Sequence, residues 1–167
     1  MIQQKICLLG SFSVGKTSLI RRYVDSLFSE KYLTTVGVKI DKKYQKVDDK
    51  EYTLMLWDIA GEDDFTSIRT AYLRGMAGYI IVIDPTRPHS YETALSIHDM
   101  VKSNAGALPA VFALNKADLK QSWQLDPPRY QHLHQLGHPV VETSAKQGQG
   151  VDNMFLQLLQ QRENSHG

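Results

Sequence analysis

The chain has 167 residues, 42% of them hydrophobic, with 19 Lys and Arg set against 18 Asp and Glu for a net charge of +1. That length suits one domain, residues 1–167, able to bury about 70% of its unfolded surface, and so small a charge excludes the broad positive field that a nucleic-acid partner requires. The lone Cys7 cannot close an internal disulfide, and the longest apolar stretch, 79–83, falls far short of the roughly 20 residues a membrane span needs.

Gln3 to Leu9 reads as a buried strand, and Lys16 to Ser26 carries Leu19, Ile20, Tyr23, Val24 and Leu27 at helical spacing. Between them Gly10-Ser11-Phe12-Ser13-Val14-Gly15-Lys16-Thr17 matches G-x-x-x-x-G-K-[ST], the phosphate-cradling P-loop. The plain alternative is a glycine-punctuated turn before an ordinary helix. As a P-loop, the glycines let backbone N–H groups face a phosphate and the helix start adds partial positive charge. Lys16 then reaches the terminal phosphates and the Thr17 hydroxyl ligates Mg²⁺. The expected set is Gly10, Ser13, Val14, Gly15, Lys16, Thr17 and Ser18.

Downstream, Thr34-Thr35-Val36-Gly37 offers the Thr35 hydroxyl as a second protein ligand to the ion. Val38 to Val47 and Tyr52 to Trp57 form a hairpin across Asp48-Asp49-Lys50. Lys39, Lys42, Lys43 and Lys46 crowd its first strand; charge protecting a sheet edge is favoured over a partner site. Asp58-Ile59-Ala60-Gly61 follows, where Asp58 would hold Mg²⁺ through a water and the Gly61 N–H would touch a γ-phosphate.

Strands are expected at Gly78 to Asp84, Ala110 to Asn115 and Pro139 to Glu142, alternating with helices in a βαβ pattern with one antiparallel strand. Ser90 is expected to cap a helix to about Asn104, Asp126 before Pro127-Pro128 to open another that Gly137 closes, and a last helix to bury Val151, Met154, Phe155, Leu158 and Leu159. His132 and His134, two apart on a helix, face apart and make a poor metal chelate.

The base is specified by Asn115-Lys116-Ala117-Asp118 after the apolar run 110–114. A carboxylate at Asp118 can accept from N1–H and the 2-amino group of guanine, donors that adenine lacks, a difference worth a factor of about 10⁴. Ser144, Ala145 and Lys146, after the last strand, would bring backbone N–H groups beneath the base.

On these motifs the chain resembles a small GTPase of the Ras superfamily, most similar to the Rab branch, from Lys5 to about Gln160. Thr35-Val36-Gly37-Val38, Leu56-Trp57-Asp58-Ile59-Ala60-Gly61 and Tyr72-Leu73-Arg74-Gly75 carry the Rab-like part. The resemblance implies an α/β P-loop NTPase fold, a six-stranded mixed sheet with five parallel strands and one antiparallel, flanked by about five helices. It implies a switch that binds GTP and GDP and hydrolyses GTP, and with no Arg positioned in cis and Glu62 in place of the usual Gln the intrinsic rate is expected to be slow, below about 10⁻² s⁻¹. It also implies Phe28 and Tyr32 as aromatics flanking guanine and phosphates, and effectors, an exchange factor and a GTPase-activating protein as partners. Ile40, Trp57 and Tyr72 fall on a hydrophobic effector triad, with Trp57 as plain core the equal alternative.

Two departures bear on catalysis, for which Lys16, Thr35, Gly61 and Glu62 are the expected residues. Glu62 stands where relatives place a water-orienting Gln, and as a base beside a γ-phosphate it could help or hinder. Phe12 fills a P-loop position usually small or polar, where it would crowd an incoming arginine. The alternative function is thus a GTP-loaded binding module with negligible hydrolysis; a P-loop kinase or ATPase is disfavoured by Asn115, Lys116 and Asp118. Rab and Ras proteins carry prenylated C-terminal cysteines, whereas this chain ends Gln161-Arg162-Glu163-Asn164-Ser165-His166-Gly167 and begins Met1-Ile2. The expectation is a cytoplasmic protein without a direct lipid anchor.

Overall fold

A strand covered on both faces must be apolar throughout, and β5 (Met76–Ile83) is buried at all eight positions. A computed structural model describes residues 2–11, 14–24, 31–33, 38–59 and 70–166, with the backbone alone at 31–33 and 162–166. In it β5 pairs in parallel with β1 (Ile2–Leu9) on one side and with β6 (Ala110–Leu114) on the other, and β6 pairs in parallel with β7 (Val140–Glu142). Beyond β1 lies β4 (Lys50–Asp58), also parallel, and then the antiparallel β3 (Lys39–Val47). These are the six expected strands with the expected directions. A short strand, β2 (Lys31–Leu33), adds a seventh at the β3 edge, giving the order β2-β3-β4-β1-β5-β6-β7.

Four α-helices lie among the described residues: α1 (Lys16–Val24), α2 (Pro88–Ala105), α3 (Pro127–Gln135) and α4 (Val151–His166). Two 3-10 turns, Thr70–Leu73 and Ala117–Ser122, join them. Sheet alternation sorts the core into two layers. Leu8, Leu54, Leu56, Ile80, Val82 and Val111 meet Leu19, Ile20 and Tyr23 of α1 and Met154, Phe155 and Leu158 of α4. On the other face Cys7, Leu9, Tyr79, Ile81, Ile83 and Phe112 meet Tyr91, Ala94, Ile97 and Val101 of α2 and Leu133 of α3. Burial pushes the Cys7 thiol up to about 12, so it is a small, inert core side chain.

Helix ends follow local chemistry. Asp126 caps α3 as expected, its carboxylate accepting from Arg129 N at 3.0 Å, and Gly137, at φ +86, follows the last turn. Ser90 does not cap α2. Pro88 at the helix start needs no donor partner, Arg87 stands at the cap position but its side chain does not cap the helix, and the Ser90 hydroxyl turns back to the end of β5. Along β3, β2 pairs with residues 39–41, while Lys42, Lys43 and Lys46 pair with β4 and lie past the end of β2 toward the sheet edge. That fits the edge-protection reading, with Lys43 Nζ 5.0 Å above the Tyr23 ring.

Tyr23 and Phe155 stack at 3.9 Å with an interplanar angle of 11°, joining α1 to α4 over the sheet. Phe155→Ala should therefore cost about 3–5 kcal/mol, read as a lowered urea midpoint with an unchanged slope. The α2 layer carries a pH-sensitive pair: His98 and His138 meet edge to face at 5.5 Å, and the Tyr79 hydroxyl lies 3.1 Å from His98 Nδ1. Burial first, then the neighbouring His138, holds His98 below the ordinary imidazole value; burial likewise lowers His138. The unfolded chain then takes up more protons, so this stability is complete above about pH 6.5 and is lost as pH falls through the folded-state values. Thermal midpoints of H98F and the parent should converge as pH drops from 7 to 5.

Candidate nucleotide-binding site

The carboxyl ends of β1, β4, β5, β6 and β7 open on one edge of the sheet, and strand order reverses beside β1, the place where open α/β sheets bind ligands. The loop after β1 turns there because of two glycines. Gly10 has φ +150 and a Cβ on it would lie 2.6 Å from the Val82 carbonyl; Gly15 has φ +101 and a Cβ would strike Asn115 Nδ2. Lys16, the first residue of α1, is only 6% exposed, and among the described residues its Nζ makes two long contacts, to Gly10 O at 3.4 Å and Ser11 O at 3.5 Å. Burial lowers its pKa and the Asp58 carboxylate partly restores it. The Thr17 hydroxyl donates to Asp58 Oδ2, so helix start and β4 end face each other through oxygen.

Across the P-loop, Asn115 donates from Nδ2 to Val14 O at 2.9 Å and accepts on Oδ1 from the Thr143 hydroxyl at 3.2 Å. Three loops are thereby joined by one buried amide. The Ser144 hydroxyl donates to Asp118 Oδ1 at 2.8 Å while accepting from Gln147 N at 3.1 Å, which fixes how the carboxylate faces. Gly15, Ser18, Asn115, Lys116, Asp118, Ala145 and Lys146 line a cleft of ≈ 500 Å³, the range of small-molecule sites. All seven are residues singled out from sequence. Leu119 lines it too and was missed, although an apolar residue straight after a polar motif in a surface turn is a readable signal.

Ile40 stands opposite Trp57 in the β3–β4 register, and both pack with Tyr72 against the α2-side core. All three are half-buried, and Lys5 Nζ sits 3.7 Å above the Trp57 ring. Phe12, Ser13, Phe28, Thr35, Gly61 and Glu62 lie outside the described residues, and for Tyr32 the backbone alone is described, paired with Ile40.

A P-loop between β1 and α1, a β4 carboxylate at the helix start and a base-sized cleft beyond define the small-GTPase form of the P-loop fold. The chain belongs to the Ras family, whose sequence pattern it matches over residues 5–164. It is 33% identical over 159 residues to the Ras-related protein RabJ of Dictyostelium discoideum, covering 94% of this chain and 62% of the relative. To Rab-3C of Bos taurus it is 34% identical over 157 residues, 93% of this chain and 69% of the relative. To the Ras-related protein SEC4 of Candida albicans it is 31% identical over 164 residues, 97% of this chain and 78% of the relative. It is a Rab-like small GTPase by family.

Asn115→Ala leaves Val14 O and the Thr143 hydroxyl without their shared partner in a buried setting. The expected loss is about 1–3 kcal/mol of folding stability, measured by urea unfolding of nucleotide-free protein, together with faster loss of bound nucleotide.

Proposed function

We propose that the protein is a guanine-nucleotide switch that binds GTP and GDP with Mg²⁺ and hydrolyses GTP slowly to GDP and phosphate. The observation that carries this reading is the Asp118 carboxylate, held by Ser144 on the wall of a cleft that Asn115 couples directly to the P-loop. A base recognised there and phosphates recognised at Lys16 are then two ends of one ligand.

On the phosphate side, a buried ammonium whose contacts among the described residues are long carbonyl ones favours an anion that satisfies it. Thr17 and Asp58 fit Mg²⁺ by chemistry, a neutral hydroxyl and a carboxylate already facing each other, with the Thr35 hydroxyl as the further ligand. An ion held there would neutralise phosphate charge. Lys16 spreads negative charge from the terminal phosphates, the P-loop N–H groups of Ser13, Val14 and Gly15 hold the phosphate chain, and Gly61 N–H meets the γ-phosphate. Glu62 is assigned to the attacking water.

On the base side, Asp118 accepts from the guanine edge, Ala145 and Lys146 close the cleft beneath it, and Phe28 and Tyr32 flank the ligand. Ile40, Trp57 and Tyr72 form the surface that effectors read, and exchange and GTPase-activating proteins act on the same switch. No helix among the described residues is long and apolar enough to cross a membrane. The cytosol is the compartment this reading assigns, where guanine nucleotides coexist with a reduced thiol such as Cys7.

Nucleotide-free protein should bind GDP and GTP about 10⁴-fold more tightly than ATP, and Asp118→Asn should shift preference to xanthosine nucleotides, which keep N1–H but carry an accepting carbonyl in place of the 2-amino donor. Equal affinity for ATP and GTP would overturn the reading. A single-turnover trace on the GTP-loaded protein gives the rate, expected below about 10⁻² s⁻¹, and Glu62→Ala should alter it.

A further inference from the structure

Asp84 follows β5 directly, and its side chain is fully buried. No phosphate or base contact described above uses it. A carboxyl group out of water is costly unless its oxygens are matched; here Oδ1 is hydrogen-bonded and Oδ2 faces a cation. Oδ1 accepts from Thr86 N at 3.0 Å and from the Thr86 hydroxyl at 2.6 Å. Oδ2 lies 2.7 Å from Lys116 Nζ, an ion pair with a residue of the base cleft. The backbone of Asp84 is itself held: its N–H donates to Ser90 Oγ at 3.0 Å and its carbonyl accepts from Ser90 Oγ at 2.7 Å. The carboxylate is thus a fixed point on the junction of β5 and α2.

Lys116 is fixed at its other end. Its backbone is left-handed, φ 65 and ψ 42, a conformation that costs a non-glycine residue and persists only where neighbours impose it. Its carbonyl accepts from Leu119 N at 2.9 Å and from the Trp123 indole Nε1 at 3.0 Å. With backbone and ammonium both pinned, the four-carbon stem between them has little freedom left, and the side chain remains 34% exposed on the cleft wall.

We propose that Asp84 is a positioning residue for the nucleotide site: by anchoring the Lys116 ammonium it holds the lysine stem as a preformed wall of the base cleft. The inference rests on the guanine-nucleotide reading of that cleft. A wall formed in advance spares the ligand the cost of ordering a rotamer-rich side chain.

The test is the release rate of a fluorescent GDP analogue chased with excess GDP in Mg²⁺. Asp84→Asn should speed release about three- to tenfold, and by the same factor for a fluorescent GTP analogue, because Lys116 borders the base rather than the phosphates. In a Lys116→Ala background the same change should add less than about twofold. A purely structural role predicts equal acceleration in both backgrounds, so that outcome overturns the proposal, as does an Asp84→Asn rate matching the parent. If Asp84→Asn fails to fold, Thr86→Val, which keeps the ion pair but loosens the carboxylate, decides by the same contrast. A parent that holds GDP while Asp84 proves silent sinks only the positioning role. A parent that holds no guanine nucleotide sinks the nucleotide reading and this proposal together.

Discussion

The bond from Asn115 Nδ2 to Val14 O spans 101 residues and is the constraint on which the rest of the site depends. Without it the P-loop and the base cleft would be two loops on neighbouring strand ends, free to drift. With it, and with the Thr143 hydroxyl closing on Asn115 Oδ1, the loops after β1, β6 and β7 are tied to one side chain. The fit is close enough to dictate sequence elsewhere: Gly15 must be glycine because any Cβ would occupy the place of the Asn115 amide. Such a buried amide has no neutral substitute, since each unmade bond leaves a polar group stranded.

The sheet order makes that bond possible. β1 and β6 are both neighbours of β5, so their carboxyl ends arrive on the same edge about two strand spacings apart. The parallel pairings of β1, β5, β6 and β7 carry Gly10, Asp84, Asn115 and Thr143 there together. A similar close approach fixes the far side, where a Cβ on Gly150 would strike the Glu142 carbonyl and pin the start of α4 against the loop after β7. Packing, rather than the loops themselves, sets the geometry: the α1 and α4 layer on one face and the α2 and α3 layer on the other hold the strands whose ends present the site.

Much of this was legible in the chain because it depends on local rules. The run MAGYIIVI has no polar face and reads as a central strand, the alternation of Tyr52, Leu54 and Leu56 gives β4 its buried side, and Asp126 before two prolines signals a helix start. Motif spacing placed Lys16, Thr17, Asp58, Asn115 and Asp118 at strand ends. What escaped was set by tertiary contact. Ser90 looks like a cap by type and position, yet the end of β5 lies close enough to take its hydroxyl, and a cap with Pro88 following needs it less. Three residues of β2 carry too little pattern to declare a strand, whose existence depends on the β3 edge beside them. Trp123 and Asp84 reach the cleft only through Lys116, a second-order relation no spacing in the chain encodes.

The two lysines of the site show how burial and partner choice divide one chemistry between two tasks. Lys16 is almost fully enclosed, its ammonium opposed, among the described residues, by the Asp58 carboxylate already bonded to Thr17 and by carbonyls at the limit of hydrogen-bond range. Burial therefore depresses its pKa, a penalty that a polyanion would relieve under the proposed nucleotide reading. Lys116 has a dedicated, fully buried partner at 2.7 Å, so its charge is already matched and gains little from a phosphate. What it has left to offer is the surface of its hydrocarbon stem, suited to the flat face of a base. Under the proposed reading the same side chain serves as an electrostatic group where the described neighbours offer it long contacts and as a piece of wall where a buried carboxylate holds it.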